Sequence, residues 1–281
     1  MIDERPGGGA EPGGTGQGTA ACAPLATGDR SGSWLSLFQG MWLLTWRKKT
    51  VPGSLPALLA SVFALPLFVL LVFDVEGTSG YYMLIGVYLR IILPFYALVS
   101  FGDLIRDEIQ SNTLVFLTTR PLSRARLFLI KYLCLMAWIQ LLMLAQGVFL
   151  WLAGCAHKIE AMGPLLPLLL TAQFLAVLVF GALSALMGLI HKRFLVLGVL
   201  YGLVVEIGIG QIPTNVNNLS MTRHLKILLG NHPIFHDAFQ YDPTGTATSV
   251  LAILTAAVGF LGLGALLFSR LEFLRGDEMK K

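Results

Sequence analysis

Long stretches of this chain contain no charged residue, and its polar positions gather between them. Val51 to Phe73 is uncharged, as are Tyr132 to Ala156, Ala161 to Ile190 and Pro243 to Ser269. Ser79 to Gly102 is broken only by Arg90, and Phe194 to Met221 only by Glu206. About 20 apolar residues carry a helix across roughly 30 Å of hydrocarbon. The pattern therefore predicts six transmembrane helices, near 53–73, 81–101, 128–152, 165–190, 194–212 and 248–269.

Two segments precede these spans. Residues 1–33 contain nine Gly and three Pro among Ala, Thr and polar residues. Such a stretch buries too little apolar area to fold and reads as a disordered cytoplasmic tail. Asp3, Glu4 and the missing apolar run argue against a signal peptide. Residues 34–49 repeat apolar positions at helical spacing: Trp34, Leu37, Phe38, Met41, Leu44 and Thr45. With Trp34, Trp42, Trp46 and the Arg47-Lys48-Lys49 cluster, this reads as an elbow helix in the membrane interface. A plain extension of the first span is the other reading, opposed by Pro52 and that cluster. Residues 50–281 form the six-span domain.

Composition agrees with this picture: mean hydropathy is +0.72, and only 13% of the 281 residues are charged. Soluble domains carry about 25%, so an ordinary water-soluble globule is excluded. The distribution of charge gives direction. Arg47, Lys48, Lys49, Arg106, Arg120, Arg124, Arg126, Lys131, Lys192, Arg193, Arg270, Arg275, Lys280 and Lys281 fall on one side. Only Lys158, Arg223 and Lys226 fall on the other. Cations stay inside during insertion, so both termini are expected in the cytoplasm of a multi-pass plasma-membrane protein, bacterial in character. Basic residues sorted by topology also argue against nucleic acid as a partner. Cys22, Cys134 and Cys155 form no paired framework.

The segment between spans two and three is the most informative. Asp103, Arg106, Asp107 and Glu108 mark the membrane exit. Ser111 suits the N-cap of a short helix from Asn112 to Leu117, and Pro121 ends it. Ser123 is placed to cap the next helix, which re-enters with Arg124, Arg126 and Lys131. Leu114, Phe116 and Leu117 on so short a helix suggest a docking surface. This segment resembles the loop of ABC-2 type permeases, the membrane subunits of ATP-binding-cassette exporters. The matching positions are Glu108, Thr113, Leu114, Leu117, Pro121, Ser123, Arg124 and Lys131; the departures are Asn112, where Gly is usual, and Val115, where Glu is common. The resemblance extends to the elbow helix, the six spans and the long loop before the last. It implies a coupling helix seated in a separate cytoplasmic ABC ATPase, which would bind ATP and Mg, and a second permease copy with Gly198 and Gly202 at or near the homodimer seam.

No phosphate-loop motif, His-Glu-x-x-His or Gly-x-Ser-x-Gly occurs, so no catalytic, cofactor or metal residues are assigned to this chain. Arg90 and Glu206 stand inside spans two and five, about 13 and 9 Å below the outer ends. Intramembrane charges are costly and invite a functional reading. They could line a pathway or couple ion flow in a secondary transporter. They could equally form a structural ion pair, or Arg90 could snorkel to the headgroups. The absence of internal repeats weighs against the secondary transporter, and a membrane enzyme would need a catalytic cluster richer than Asp103 to Glu108. Gly181, Ser184, Ala185 and Gly188 suit close helix packing, as do Gly198 and Gly202. In the loop 213–247, Met221 to Leu229 is amphipathic and Pro233 to Phe239 suggests a second short helix. His232 and His236 are four apart, with His224 and Asp237 nearby, a spacing that can bind a metal on a helix; Pro233 makes His232 a helix boundary, so solvated or interfacial histidines are the better reading.

Overall fold

The computed structural model describes residues 34–49, 78–105, 123–159, 162–208, 218, 220–230, 232, 235 and 245–270. The 1–33 tail, the first expected span and the 106–122 segment lie outside these residues. Glu108, Ser111, Thr113, Leu114, Leu117 and Pro121 lie there with them.

The described residues are almost entirely helical. In chain order they form α1 (Trp34–Lys49), α2 (Thr78–Val87), a first π turn (Tyr88–Ile92) and α3 (Leu93–Gly102). Then follow α4 (Arg124–Ala156), α5 (Met162–Ile190), α6 (Phe194–Tyr201), a second π turn (Gly202–Gly208), α7 (Met221–Gly230) and α8 (Gly245–Arg270). Among the described residues four helices are long and apolar enough to cross a membrane: Met83–Gly102, α4, α5 and α8. They correspond to expected spans two, three, four and six. The fifth is represented by the shorter apolar stretch Phe194–Glu206. At 33 residues, α4 is about 50 Å long, so it overhangs the hydrocarbon.

α5 is the hub, and it contacts α3, α4, α6, α7 and α8. Its middle is apolar on every side, and Leu175, Ala176, Val177, Val179, Phe180, Gly181, Ala182, Leu183, Ser184, Ala185 and Leu186 are all buried. A helix hydrophobic all round belongs in such a central place. α8 is its opposite. It buries Ser249, Ile253, Ala257, Gly264, Ala265 and Phe268 while Leu251, Val258 and Leu266 are exposed. That single stripe, mostly four residues apart, marks a peripheral helix.

Small residues decide how closely the helices approach. A Cβ on Gly188 would lie 2.1 Å from the Gly102 carbonyl oxygen, so α5 and α3 meet backbone to backbone there. Polar ties cross the apolar interior. Tyr81 donates to the Leu150 carbonyl (3.1 Å), Tyr132 to Leu178 (2.7 Å), and Tyr88 to Gln173 Oε1 (3.1 Å). Buried tyrosines need such acceptors where water is absent. α1 packs on α4, with Trp46 edge-on to Trp138 at 4.8 Å and the Cys134 thiol against the Phe38 carbonyl at 3.7 Å.

Candidate functional site

Arg90 and Glu206 each sit in a π turn. Such turns are rare and occur often at functional sites. The first has a local cause. Pro94 has no N–H for the Arg90 carbonyl four residues back, and the Leu93 N–H reaches five residues back to Tyr88. The second is bounded by Gly202 and Gly208.

Both turns open onto one cavity of about 390 Å³, within the size range of small-molecule sites. The first π turn and α3 contribute Arg90, Ile91, Pro94, Phe95 and Leu98; α5 contributes Phe180, Leu183, Ser184 and Met187. The α6 segment adds Gly198, Val199 and Tyr201, the second π turn Gly202, Leu203 and Glu206, and α7 Thr222 and Lys226. The walls are mostly apolar. The charges are Arg90, Glu206 and Lys226.

These charges are in different states. Both oxygens of Glu206 are fully engaged. Oε1 accepts from Tyr201 Oη and the Met221 N–H, each at 3.1 Å. Oε2 accepts from Ser220 Oγ at 2.7 Å and the Thr222 N–H at 3.0 Å. Met221 and Thr222 open α7, so Glu206 caps that helix from a different span. The N-terminal dipole and orphan amides of α7 favour a carboxylate there. Arg90 makes no hydrogen bond or ion pair with any described residue. The Arg90–Glu206 ion pair that the sequence allowed is therefore not formed. The two residues share a cavity, with Glu206 spent on a helix cap. Lys226 is likewise without a hydrogen bond or ion pair among the described residues. Burial, then repulsion from Arg90, pushes its ammonium down to about 8, with Glu206 pulling the other way.

The sequence missed Lys226, Tyr201, Ser220 and Thr222 as parts of this site. Ser220 just before the amphipathic run was a readable N-cap signal. Pro94 four residues after Arg90 was a readable break in the helical ladder. That a carboxylate from span five would reach α7 had no local signal.

The other sequence-selected residues lie elsewhere. Gly198 approaches within the chain: a Cβ there would lie 2.1 Å from Leu98 Cδ1. Gly202 has nothing within 4 Å. His224 is held by Ser249 Oγ at 3.2 Å and the Asn218 carbonyl at 3.0 Å. Ser123 stands at the N-cap of α4 in extended conformation, but its hydroxyl makes no capping bond, and its carbonyl accepts from Leu127 N–H at 3.1 Å. Arg124 opens α4. One helical turn after Leu127, Lys131 donates from Nζ to the Leu104 carbonyl at 2.9 Å. This bond ties the end of α3 to the start of α4 and draws together the two ends of the 106–122 segment. A cation also suits the C-terminal end of α3.

A search of curated proteins found no match. A family model, ABC-2 family transporter protein, matches residues 46–220. That range includes α2 to α6, both π turns and the 106–122 segment. The chain is a multi-pass membrane protein, helical throughout its described spans, that belongs to the ABC-2 transporter family.

Proposed function

We propose that this chain is the permease subunit of an ABC exporter, working with a separate cytoplasmic ATPase. The permease has six spans, with α1 as an elbow helix in the inner interface of a bacterial plasma membrane. Both termini and the 106–122 segment face the cytoplasm, and α7 lies outside. ATP and Mg are bound by the partner; this chain supplies the path and the coupling helix. Two copies pair through span five, where Gly202 leaves open space for a neighbour.

The observation that carries this reading is the family match over 46–220 together with the Lys131–Leu104 bond between the helices on either side of the 106–122 segment. A lever must be stiff at its base. The Lys131–Leu104 bond fixes the distance between the helices that lead into and out of the segment, so a push on the segment moves both. Glu108, Thr113, Leu114, Leu117, Pro121 and Arg124 are its contact and shape-determining positions. Closure of the ATPase would bias spans two and three between two arrangements, as coupling through a bistable element requires.

Co-purification tests the reading. Wild-type chain co-expressed with the ABC ATPase encoded beside it should retain that ATPase and raise its hydrolysis rate. Glu108→Lys combined with Leu114→Asp should lose retention by about tenfold or more, since burying a charge in an apolar contact costs over 1.4 kcal/mol. Retention unchanged by the double substitution would overturn the coupling role.

A further inference from the structure

The cavity between the two π turns has an ordered polarity. Arg90 and Lys226 stand at one end. Eight residues further along the span, about 12 Å of helix rise, Leu98 stands against Gly198, and Phe180, Leu183 and Met187 continue the apolar wall. The rim is apolar and open, for Ile91, Phe95 and Leu203 are each more than half exposed. A slot of this kind takes a molecule with a charged head and a greasy chain.

The charge of the head follows from the donors. Two cations face one carboxylate, and that carboxylate already accepts four hydrogen bonds. The polar end therefore offers Arg90 and Lys226, and no acceptor of comparable charge with unused hydrogen-bonding capacity. A cationic head would add to the excess of positive charge at this end, and a neutral head would leave that excess in a mostly apolar cavity, which is expensive. An anionic head removes the mutual repulsion of the two cations and gains charge-assisted hydrogen bonds. The lowered proton affinity of Lys226, caused first by burial and then by repulsion from Arg90, fits an excess of positive charge at this end.

From this geometry we propose that the slot binds an amphiphile with an anionic head and an acyl chain, taken from the bilayer. Arg90 and Lys226 hold the head, and the chain lies along Leu98, Phe180 and Met187. The site deepens the proposed function, on which its role as a cargo site rests; the binding itself does not need the ATPase.

The test uses the full chain alone in a non-ionic detergent. Dioleoyl phosphatidylglycerol, dioleoyl phosphatidylcholine, dioleoyl glycerol and inorganic phosphate are offered separately, and retention is read by native mass spectrometry. The expected result is retention of phosphatidylglycerol about tenfold above phosphatidylcholine or the uncharged diglyceride, and none of phosphate, whose missing tail leaves the apolar wall unfilled. Arg90→Gln with Lys226→Gln should erase the preference, and Arg90→Lys should keep most of it. Circular dichroism and melting separate misfolding from lost binding, and Lys226→Gln alone provides a milder second variant, expected to lose several-fold. Equal retention of all lipids, phosphate binding without lipid, or a preference untouched by the double substitution overturns the proposal. A dimer that forms with the slot closed to every lipid overturns it as well. A chain that retains the anionic lipid but no ATPase refutes the permease reading and leaves this site standing.

Discussion

The two π turns look alike in sequence and differ in the finished protein. Each places one charged residue in a span that is otherwise free of charge. Glu206 is consumed by structure: four donors surround it, two of them backbone amides at the start of α7. Among the described residues Arg90 has no such partner, and it faces a cavity beside Lys226, which has none there either. An intramembrane charge is therefore not by itself a functional residue. Whether its hydrogen-bonding capacity is already used decides the matter.

The largest expected effect of that difference is on stability. Glu206→Ala removes the acceptor of the Tyr201 and Ser220 hydroxyls and of two α7 amides, leaving α7 only the Ser220 Oγ that accepts from the Arg223 N–H, so it should cost about 2–4 kcal/mol. Unfolding in mixed micelles measures it; a loss below about 0.5 kcal/mol would mean that the cap contributes little. Gly198→Ala should cost about 1 kcal/mol by crowding Leu98, while Gly202→Ala should be neutral or slightly stabilising, since its surroundings are open. Equal costs would erase the contrast between the packed and open ends of this segment. Arg90→Gln should change stability by less than about 0.5 kcal/mol, because it breaks no bond, while weakening anion retention. A large destabilisation would show that Arg90, too, is structural.

The smallest effect is a pH dependence. Lys226 titrates near 8 in the folded chain against 10.5 for an unperturbed lysine. Between those values the unfolded chain binds more protons, so ligand-free stability should rise with pH over that window. Retention of an anion should fall over the same range as the ammonium is lost. Lys226→Arg keeps its charge at these pH values and should flatten the retention profile. A profile with the opposite slope would place the controlling group elsewhere.

Much of the fold was legible because the hydrocarbon core imposes a simple rule. Uncharged runs of sufficient length become helices, and four of them do so where expected, as α4, α5, α8 and the Met83–Gly102 span. The amphipathic run from Met221 became α7 for the same local reason. Small residues announced close packing, yet not with whom: Gly188 meets Gly102, and Gly198 meets Leu98 of its own chain. The site was half legible. Arg90 and Glu206 stood out by cost alone, whereas Lys226 passed for an ordinary loop charge.

What the sequence determined by itself was where backbone must satisfy its own hydrogen bonds, and hence which segments are helical and which family they resemble. Tertiary structure alone decided which polar atoms meet. Glu206 and Ser220 are fourteen residues apart and join only because α6 and α7 fold onto α5. No periodicity encodes that meeting. The partner of a charge depends on distance in space, and in this chain that distance is set by helices packing edge to edge.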